Sequence, residues 1–177
     1  MDSTTIREIP PLRSAWTRRG EQACVPLIGS HAKRVLSGVM NILTGHYIPY
    51  ISASFSQGHF QDLLQLVRAQ WRGWHLVLFL DRATVHTAGG SQALAAALHI
   101  ELRWLPTACP ELNVMDCLWR HGKDHIVANE PTPMLDHTVS MVISYLDSLS
   151  AHERLTKAGV FAQRFWLAEV RNALLSN

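Results

Sequence analysis

Hydrophobic residues along this chain follow two different periods, and the changes of period mark its elements. Residues 31–43 mix β-branched and small side chains, with alternation around Arg34-Val-Leu-Ser-Gly-Val-Met-Asn-Ile-Leu43, which predicts a strand. Thr44-Gly45-His46 is a turn signal, and residues 47–53 read as the antiparallel partner, with Pro49 suited to an edge because it cannot donate to a ladder. From 58 to 70 the period becomes helical, with Phe60, Leu63, Leu64 and Val67 on one face and Gly73 beyond the end. The run Leu76-Val-Leu-Phe-Leu80 is continuously apolar, as in a central strand buried on both faces. A short Ala-rich helix follows at 91–98, with Ser91 as its expected cap, and another strand at 100–105. Asn113 is a good N-cap for a helix from 114 to about 128, which Gly122 weakens in the middle. Pro131 and Pro133 break the chain, and helices are expected at 134–149 and 158–175. Pro10-Pro11 and Gly20 mark an irregular opening segment. The order is that of an α/β sheet that begins with a hairpin and continues through helical crossovers.

Composition narrows the class. At 177 residues, 47% apolar and with six Trp, the chain suits one well-cored domain over 1–177. Sixteen basic against fourteen acidic residues, a net +2, is too mild a balance to diagnose a nucleic-acid binder. Basic residues do cluster locally at Arg13, Arg18, Arg19, Lys33 and Arg34, as a solvated surface or as a contact for DNA phosphates. No apolar run approaches the ~18 residues of a membrane span, and the first residues lack a signal-peptide pattern. A cytoplasmic protein with no membrane partner is the default expectation. The three cysteines, without Cys-x-x-Cys spacing, argue against a disulfide framework. Cys117, His121 and His125 recur every four residues, but a single helix rarely closes a zinc tetrahedron and no fourth ligand is evident.

Chemistry concentrates between the apolar run at 76–80 and Trp119. Asp81 leaves the end of the central strand, where open α/β sheets place their functional groups. Asp116 lies in the first turn of the helix that follows Leu105-Pro-Thr-Ala-Cys-Pro-Glu-Leu-Asn113. Carboxylates converging from separate elements are what a hard divalent cation requires.

These segments resemble a specific pattern. A strand ending in Leu-Pro, a Ser/Cys-Pro-Glu-Leu-Asn loop, an acid three residues after the Asn and a Trp three residues after the acid are present as Leu105-Pro106, Cys109 to Asn113, Asp116 and Trp119, with Lys123 beyond. The chain is identified as similar to the catalytic domain of the DDE transposases, in the bacterial insertion-sequence branch of the mariner superfamily. Asp81-Arg-Ala-Thr-Val-His86 resembles the family's Asp-Asn-Ala-x-x-His, with Arg82 departing at the second position. The opening segment, Asp2-Ser3 followed by Pro10-Pro-Leu-Arg13, Ala15-Trp16 and Arg19-Gly20, resembles the family's first catalytic stretch, with Ser3 in place of the usual Glu.

The resemblance implies a ribonuclease H-like mixed sheet flanked by helices and an Asp2, Asp81, Asp116 triad. It implies two Mg²⁺ or Mn²⁺ ions per site, about 3.5–4 Å apart, and a metal-dependent DNA strand cleavage and strand-transfer reaction. DNA, as transposon ends and target, is the implied partner, and assembly as a homodimer is left open. Around the triad, His86 and Asn113 are candidates to support the acids, while Arg13, Arg18, Arg19 and Lys123 are candidates for the DNA backbone. Each has an ordinary alternative: a structural histidine, a helix cap, solvated basic side chains. Trp119 reads as core packing. A helix-turn-helix module ahead of this domain is expected to be missing, and the first strand is expected to lack its leading half, with a weakened hold on Asp2. An alternative therefore stands beside the enzyme: a truncated, inactive remnant that binds DNA weakly or associates with an intact copy.

Overall fold

A computed structural model describes residues 1–22, 24–25, 31–130 and 134–176. The expected hairpin is present as β2 (Lys33–Met40) and β3 (Tyr47–Ser52), antiparallel with Val35 opposite Ser52. Pro49 lies on β3, which among the described residues pairs with β2 alone, so the proline sits on an edge strand. On the other side of β2 runs β1 (Asp2–Arg7), also antiparallel, with Asp2 opposite Gly38. The segment Asp-Ser-Thr-Thr-Ile-Arg is mostly polar, so hydrophobic periodicity does not reveal it. It is a strand because Thr4 and Ile6 alternate inward against the core while its backbone pairs with β2.

The second ladder is parallel: β4 (Leu76–Leu80) and β5 (Ile100–Trp104), extended by a bond from the Leu105 amide to the Leu80 carbonyl at 2.8 Å. Instead of one continuous sheet there are thus two ladders. They touch where the Met1 nitrogen donates to the Phe79 carbonyl at 2.8 Å.

Helices cover both faces. On one face α4 (Val114–Ile126), α5 (Leu135–Ser148) and α6 (Ala151–Lys157) pack Met115, Leu118, Trp119, Val142, Leu146 and Leu155 onto Ile6, Leu36 and Met40. On the other, α1 (Gln57–Gln70) and α3 (Gly89–Ala97) set Phe60, Leu63, Leu64, Val67 and Ala95 against Val39, Ile48, Leu78, Leu80 and Ile100. Each Leu buried this fully contributes on the order of 2 kcal/mol. A one-turn helix α2 (Thr84–Thr87) joins β4 to α3, and α7 (Ala168–Leu175) is the last element.

Three expectations change. Ser91 is not a cap: it is buried inside α3, where its hydroxyl donates to the Val85 carbonyl at 2.7 Å. The helix expected at 158–175 is helical only over its second half, as α7, and the unexpected short helix α6 precedes it. Ser150 and Glu153 form a capping box that starts α6 early, and Gly159, with φ +76°, ends that stretch. Gly122 marks a close approach of α5 rather than a flaw, since a Cβ there would sit 3.3 Å from Val142. The chain break expected at Pro131 and Pro133 lies outside the described residues. Among the described residues no helix is long and apolar enough to cross a membrane.

Candidate active site

The site begins with a missing side chain. Gly38 faces α4, and a Cβ there would lie 2.7 Å from the Trp119 ring and 3.0 Å from the Met115 methyl. Glycine thus lets α4 settle directly on β2, with Met115 and Trp119, one turn apart, pressed against the sheet. Gly38 is also the ladder partner of Asp2. The contact that seats α4 therefore brings Asp116, one residue after Met115, to the start of β1.

Asn113 locks this arrangement. Its side-chain oxygen accepts from the Met115 amide at 3.2 Å, capping α4, and its Nδ2 donates to the Met1 carbonyl at 3.0 Å. One buried side chain joins the turn carrying Asp116 to the strand carrying Asp2. Asp2 is accordingly not weakly held. Met1 is 5% exposed, its nitrogen is bonded to β4, its carbonyl to Asn113, and β1 is laddered along its whole length.

Asp81 arrives from the end of β4. Its Oδ1 accepts from the Ala83 amide at 3.1 Å and from His86 Nδ1 at 2.7 Å. His86 is buried, tilted against Phe60 at 4.5 Å between ring centroids and edge-on to Phe55. Its Nδ1 also meets the Asp81 carbonyl at 3.2 Å, so this nitrogen carries the hydrogen and Nε2 is left without a partner. An imidazole wedged between aromatic rings and bonded to a carboxylate fixes the orientation of that carboxylate.

Electrostatics tie the three acids together. Burial pushes the Asp2 carboxyl up to about 6, with Asp116 and Asp81 adding to the rise and the Met1 amino group opposing it. The Met1 amino group is lowered to about 6, chiefly by burial, against the pull of Asp2 and Asp81. The hydrogen bond from His86 holds Asp81 below the usual carboxylate range. Asp2 thus feels both other carboxylates, and its charge is poorly accommodated without a nearby cation.

The donor set is carboxylate oxygen only, which suits Mg²⁺ or Mn²⁺. Yet among the described residues no three His, Cys, Asp or Glu side chains stand close enough to hold one ion as they lie. Two of the acids have local partners of their own. Asp116 Oδ2 accepts from Arg120 at 2.6 Å, and Asp81 is held by His86. Both carboxylates are partly exposed, at 32% and 59%. In donor chemistry and mutual influence the residues fit a hard cation.

The basic candidates are dispersed. Lys123 Nζ donates to Thr4 Oγ1 at 2.7 Å, bridging α4 to β1. Arg13 pairs with Asp124 at 2.9 Å, and its amide donates to Asn129. Arg18 and Arg19 lie on the exposed segment after β1, near the fully exposed Trp16. Of the residues spaced along α4, His121 donates to or accepts from Tyr145 Oη at 2.8 Å, and His125 stacks on that ring with centroids 4.3 Å apart. Sequence reasoning missed the Arg120 clasp on Asp116, although the i,i+4 spacing was its signal. It also missed Gly38, whose role depends on a contact between elements far apart in the chain.

A family model described as DDE superfamily endonuclease matches residues 1–138. No curated protein matches. Among solved structures, the Mos1 transposase paired-end complex with left transposon end superposes with a TM-score of 0.70 at 13% identity, covering 93% of this chain and 52% of that one. The Mos1 mariner paired end complex with Mn gives 0.71 at 15% identity, over 96% and 54%. The Mos1 transposase catalytic domain with Raltegravir and Mg gives 0.60 at 14%, over 75% and 72%. The chain thus spans about half the length of the paired-end proteins it matches. At these identities the likeness establishes the fold, which is ribonuclease H-like with sheets flanked by helices.

Proposed function

The chain belongs to the DDE superfamily endonuclease family, and from that premise we propose that it is the catalytic domain of a transposase that cleaves and joins DNA strands in the movement of an insertion sequence. Asp2, Asp81 and Asp116 would hold two divalent ions, Mg²⁺ or Mn²⁺, as the metals named in the Mos1 structures suggest. The observation that carries the reading is the meeting of three elements at Met1, whose carbonyl accepts from the α4 cap Asn113 and whose nitrogen donates to β4, beside Asp2, Asp116 and Asp81. Bound ions would supply activation of the attacking water or 3′-hydroxyl and stabilisation of the leaving oxygen.

The chain's own residues do the positioning. Asn113 fixes the spacing between the start of β1 and the first turn of α4. His86 holds Asp81 ionised and oriented. Arg120 holds Oδ2 of Asp116, one of that carboxylate's two oxygens. For DNA, Arg18 and Arg19 extend from an exposed segment, and Arg13 and Lys123 would exchange their present partners for phosphate oxygens.

The test is nicking of supercoiled plasmid by the purified chain in Mg²⁺ or Mn²⁺. Asp81→Asn and Asp116→Asn should each lose on the order of 10³-fold in rate while the fold is retained. A wild-type protein with no metal-dependent cleavage sinks this reading. It would leave a silent scaffold that binds DNA weakly or associates with an intact enzyme, a reading favoured by the Arg120 clasp and the separation of the acids as they lie.

A further inference from the structure

Arg82 follows Asp81 directly, so its Cα lies about 3.8 Å from that of the acid. The turn around it is firmly built. Asp81 Oδ1 accepts from the Ala83 amide at 3.1 Å, a bond that closes a loop around Arg82. The Ala83 carbonyl in turn accepts from the amides of His86 at 2.9 Å and Thr87 at 3.0 Å. The bond that orients the carboxylate thus also fixes the base of the arginine. The arm itself is exposed, and among the described residues it makes no hydrogen bond or ion pair.

Other arginines of this chain do not stay free beside an acid. Arg34, Arg103 and Arg120 close on the carboxylates of Asp136, Glu101 and Asp116. Arg82 neighbours a carboxylate and leaves it to His86. A second departure from the resembling pattern has the same electrical sense. Ser3, where that pattern has Glu, is neutral and shares a hydrogen bond of 2.7 Å with Ser37 on β2. Relative to the pattern, a negative charge is lost at position 3 and a positive charge is gained at position 82. Carboxylates gathered at one place repel a DNA strand, and a cation at their rim offsets that repulsion.

A guanidinium without a partner is a ligand for phosphate, which it meets with two parallel hydrogen bonds. A DNA strand carries a phosphate about every 3.4 Å along its axis, so a strand that reaches Asp81 brings one within the arm's length of Arg82. We propose that Arg82 is a phosphate-binding residue that holds a DNA strand against the acid site, with a grip that needs no metal ion. The assignment rests on the reading of that site as one that acts on DNA, and it names the residue that secures the substrate there. Arg82 acts in binding and not in the bond-breaking step. Because the Asp81–Ala83 bond fixes its base, the grip also sets where the strand lies relative to the Asp81 carboxylate.

The experiment uses the full chain in EDTA and a short fluorescein-labelled duplex, with affinity read by anisotropy over a range of salt. Arg82→Ala should keep the wild-type melting temperature and weaken binding about 10-fold. Its plot of log affinity against log salt should be shallower by about 0.9, the share of one phosphate contact. Arg82→Lys, which keeps the charge but loses the planar fork, should fall between the two. Arg72→Ala removes an exposed arginine that precedes the opposite end of β4 and should change neither affinity nor slope. In Mg²⁺-dependent nicking, Arg82→Ala should raise the DNA concentration for half-maximal rate by the same factor and leave the maximal rate unchanged. The proposal is overturned if the wild-type chain does not bind the duplex, or if Arg82→Ala binds as wild type does in EDTA. It is also overturned if Arg72→Ala loses as much affinity, or if the maximal nicking rate falls while affinity holds. Absence of nicking by every protein would remove the nuclease reading alone, since the affinity in EDTA is measured without cleavage.

Discussion

The two hydrophobic clusters of this molecule are built from similar residues but packed differently. In the cluster under α4 and α5, Trp119 is fully buried and so close to the sheet that a methyl group at Gly38 would collide with it. In the cluster under α1 and α3, the wall of β4 opens onto a cavity of about 460 Å³ and Val77 is 41% exposed. The three acids stand on the seam between these regions. Asp2 and Asp116 take their positions from the tight one, and Asp81 takes its position from the loose one, where His86 compensates with a direct bond. Where packing is dense, backbone position alone delivers the side chain; where it is loose, a dedicated partner is needed.

Truncation measures the difference most directly. Trp119→Ala removes a ring with contacts on every side and should cost about 3–5 kcal/mol in denaturant unfolding. Leu78→Ala, beside the existing cavity, should cost about 2 kcal/mol, since fewer contacts surround it. Equal losses would erase the distinction between the two regions.

The next largest effect is in the pH dependence of stability, because Asp2 sits where the regions meet. Its carboxyl is raised in the folded state from an ordinary value of 3.8 to about 6. The folded chain therefore binds the proton more tightly than the unfolded one. Its contribution is fully present below pH 4 and is lost as pH rises through about 6, a change of roughly 3 kcal/mol. The Met1 amino group, lowered to about 6, acts with opposite sign and restores stability between about pH 6 and 8. Asp2→Asn should remove the decline between pH 4 and 6 and, with it, any stabilisation by Mg²⁺ at pH 7.5. A melting-temperature profile unchanged by the substitution would show that Asp2 is not strained by its neighbours.

Much of this contrast was legible in the sequence, and the unreadable part has a common cause. The hairpin, the buried run at 76–80, the Asn113 cap and the packing role of Trp119 follow from local pattern, because each depends on residues within a turn or two. The placing of Asp81 just beyond a strand end and of Asp116 in a first helical turn was legible in the same way. The strand at Asp2–Arg7 was expected only through the family resemblance, because its polar sequence is set by its place in a ladder and not by periodicity. The meeting of Gly38 with Trp119 and the bond from Asn113 to Met1 escaped altogether, because they join residues far apart in the chain. The start of α6 was readable from Ser150-x-x-Glu153, but the apolar spacing of the flanking segments masked the signal.

His86 tests whether the loose region depends on its partner bond. His86→Phe keeps an aromatic ring against Phe60 but removes the donor to Asp81. Nicking should fall about 10–100-fold, with a higher Mg²⁺ requirement, as for other groups that orient a metal-binding side chain. Unchanged metal dependence would mean that Asp81 is positioned by β4 alone.

The smallest expected effect lies on the tight side. Arg120 and Asp116 form an i,i+4 pair on α4 with side chains 56% and 32% exposed, so screening leaves about 0.5 kcal/mol of stability in it. For a chain of this size Arg120→Ala should lower the melting temperature by no more than about 2 °C. Its consequence for the site runs the other way. The guanidinium competes with any cation for the Asp116 carboxylate, so its removal should tighten the apparent Mg²⁺ affinity by about 2-fold, the factor that ~0.5 kcal/mol corresponds to. A weaker Mg²⁺ affinity in Arg120→Ala would instead mean that the arginine orients Asp116 for the cation, and that the tight region, like the loose one, relies on a partner to aim its acid.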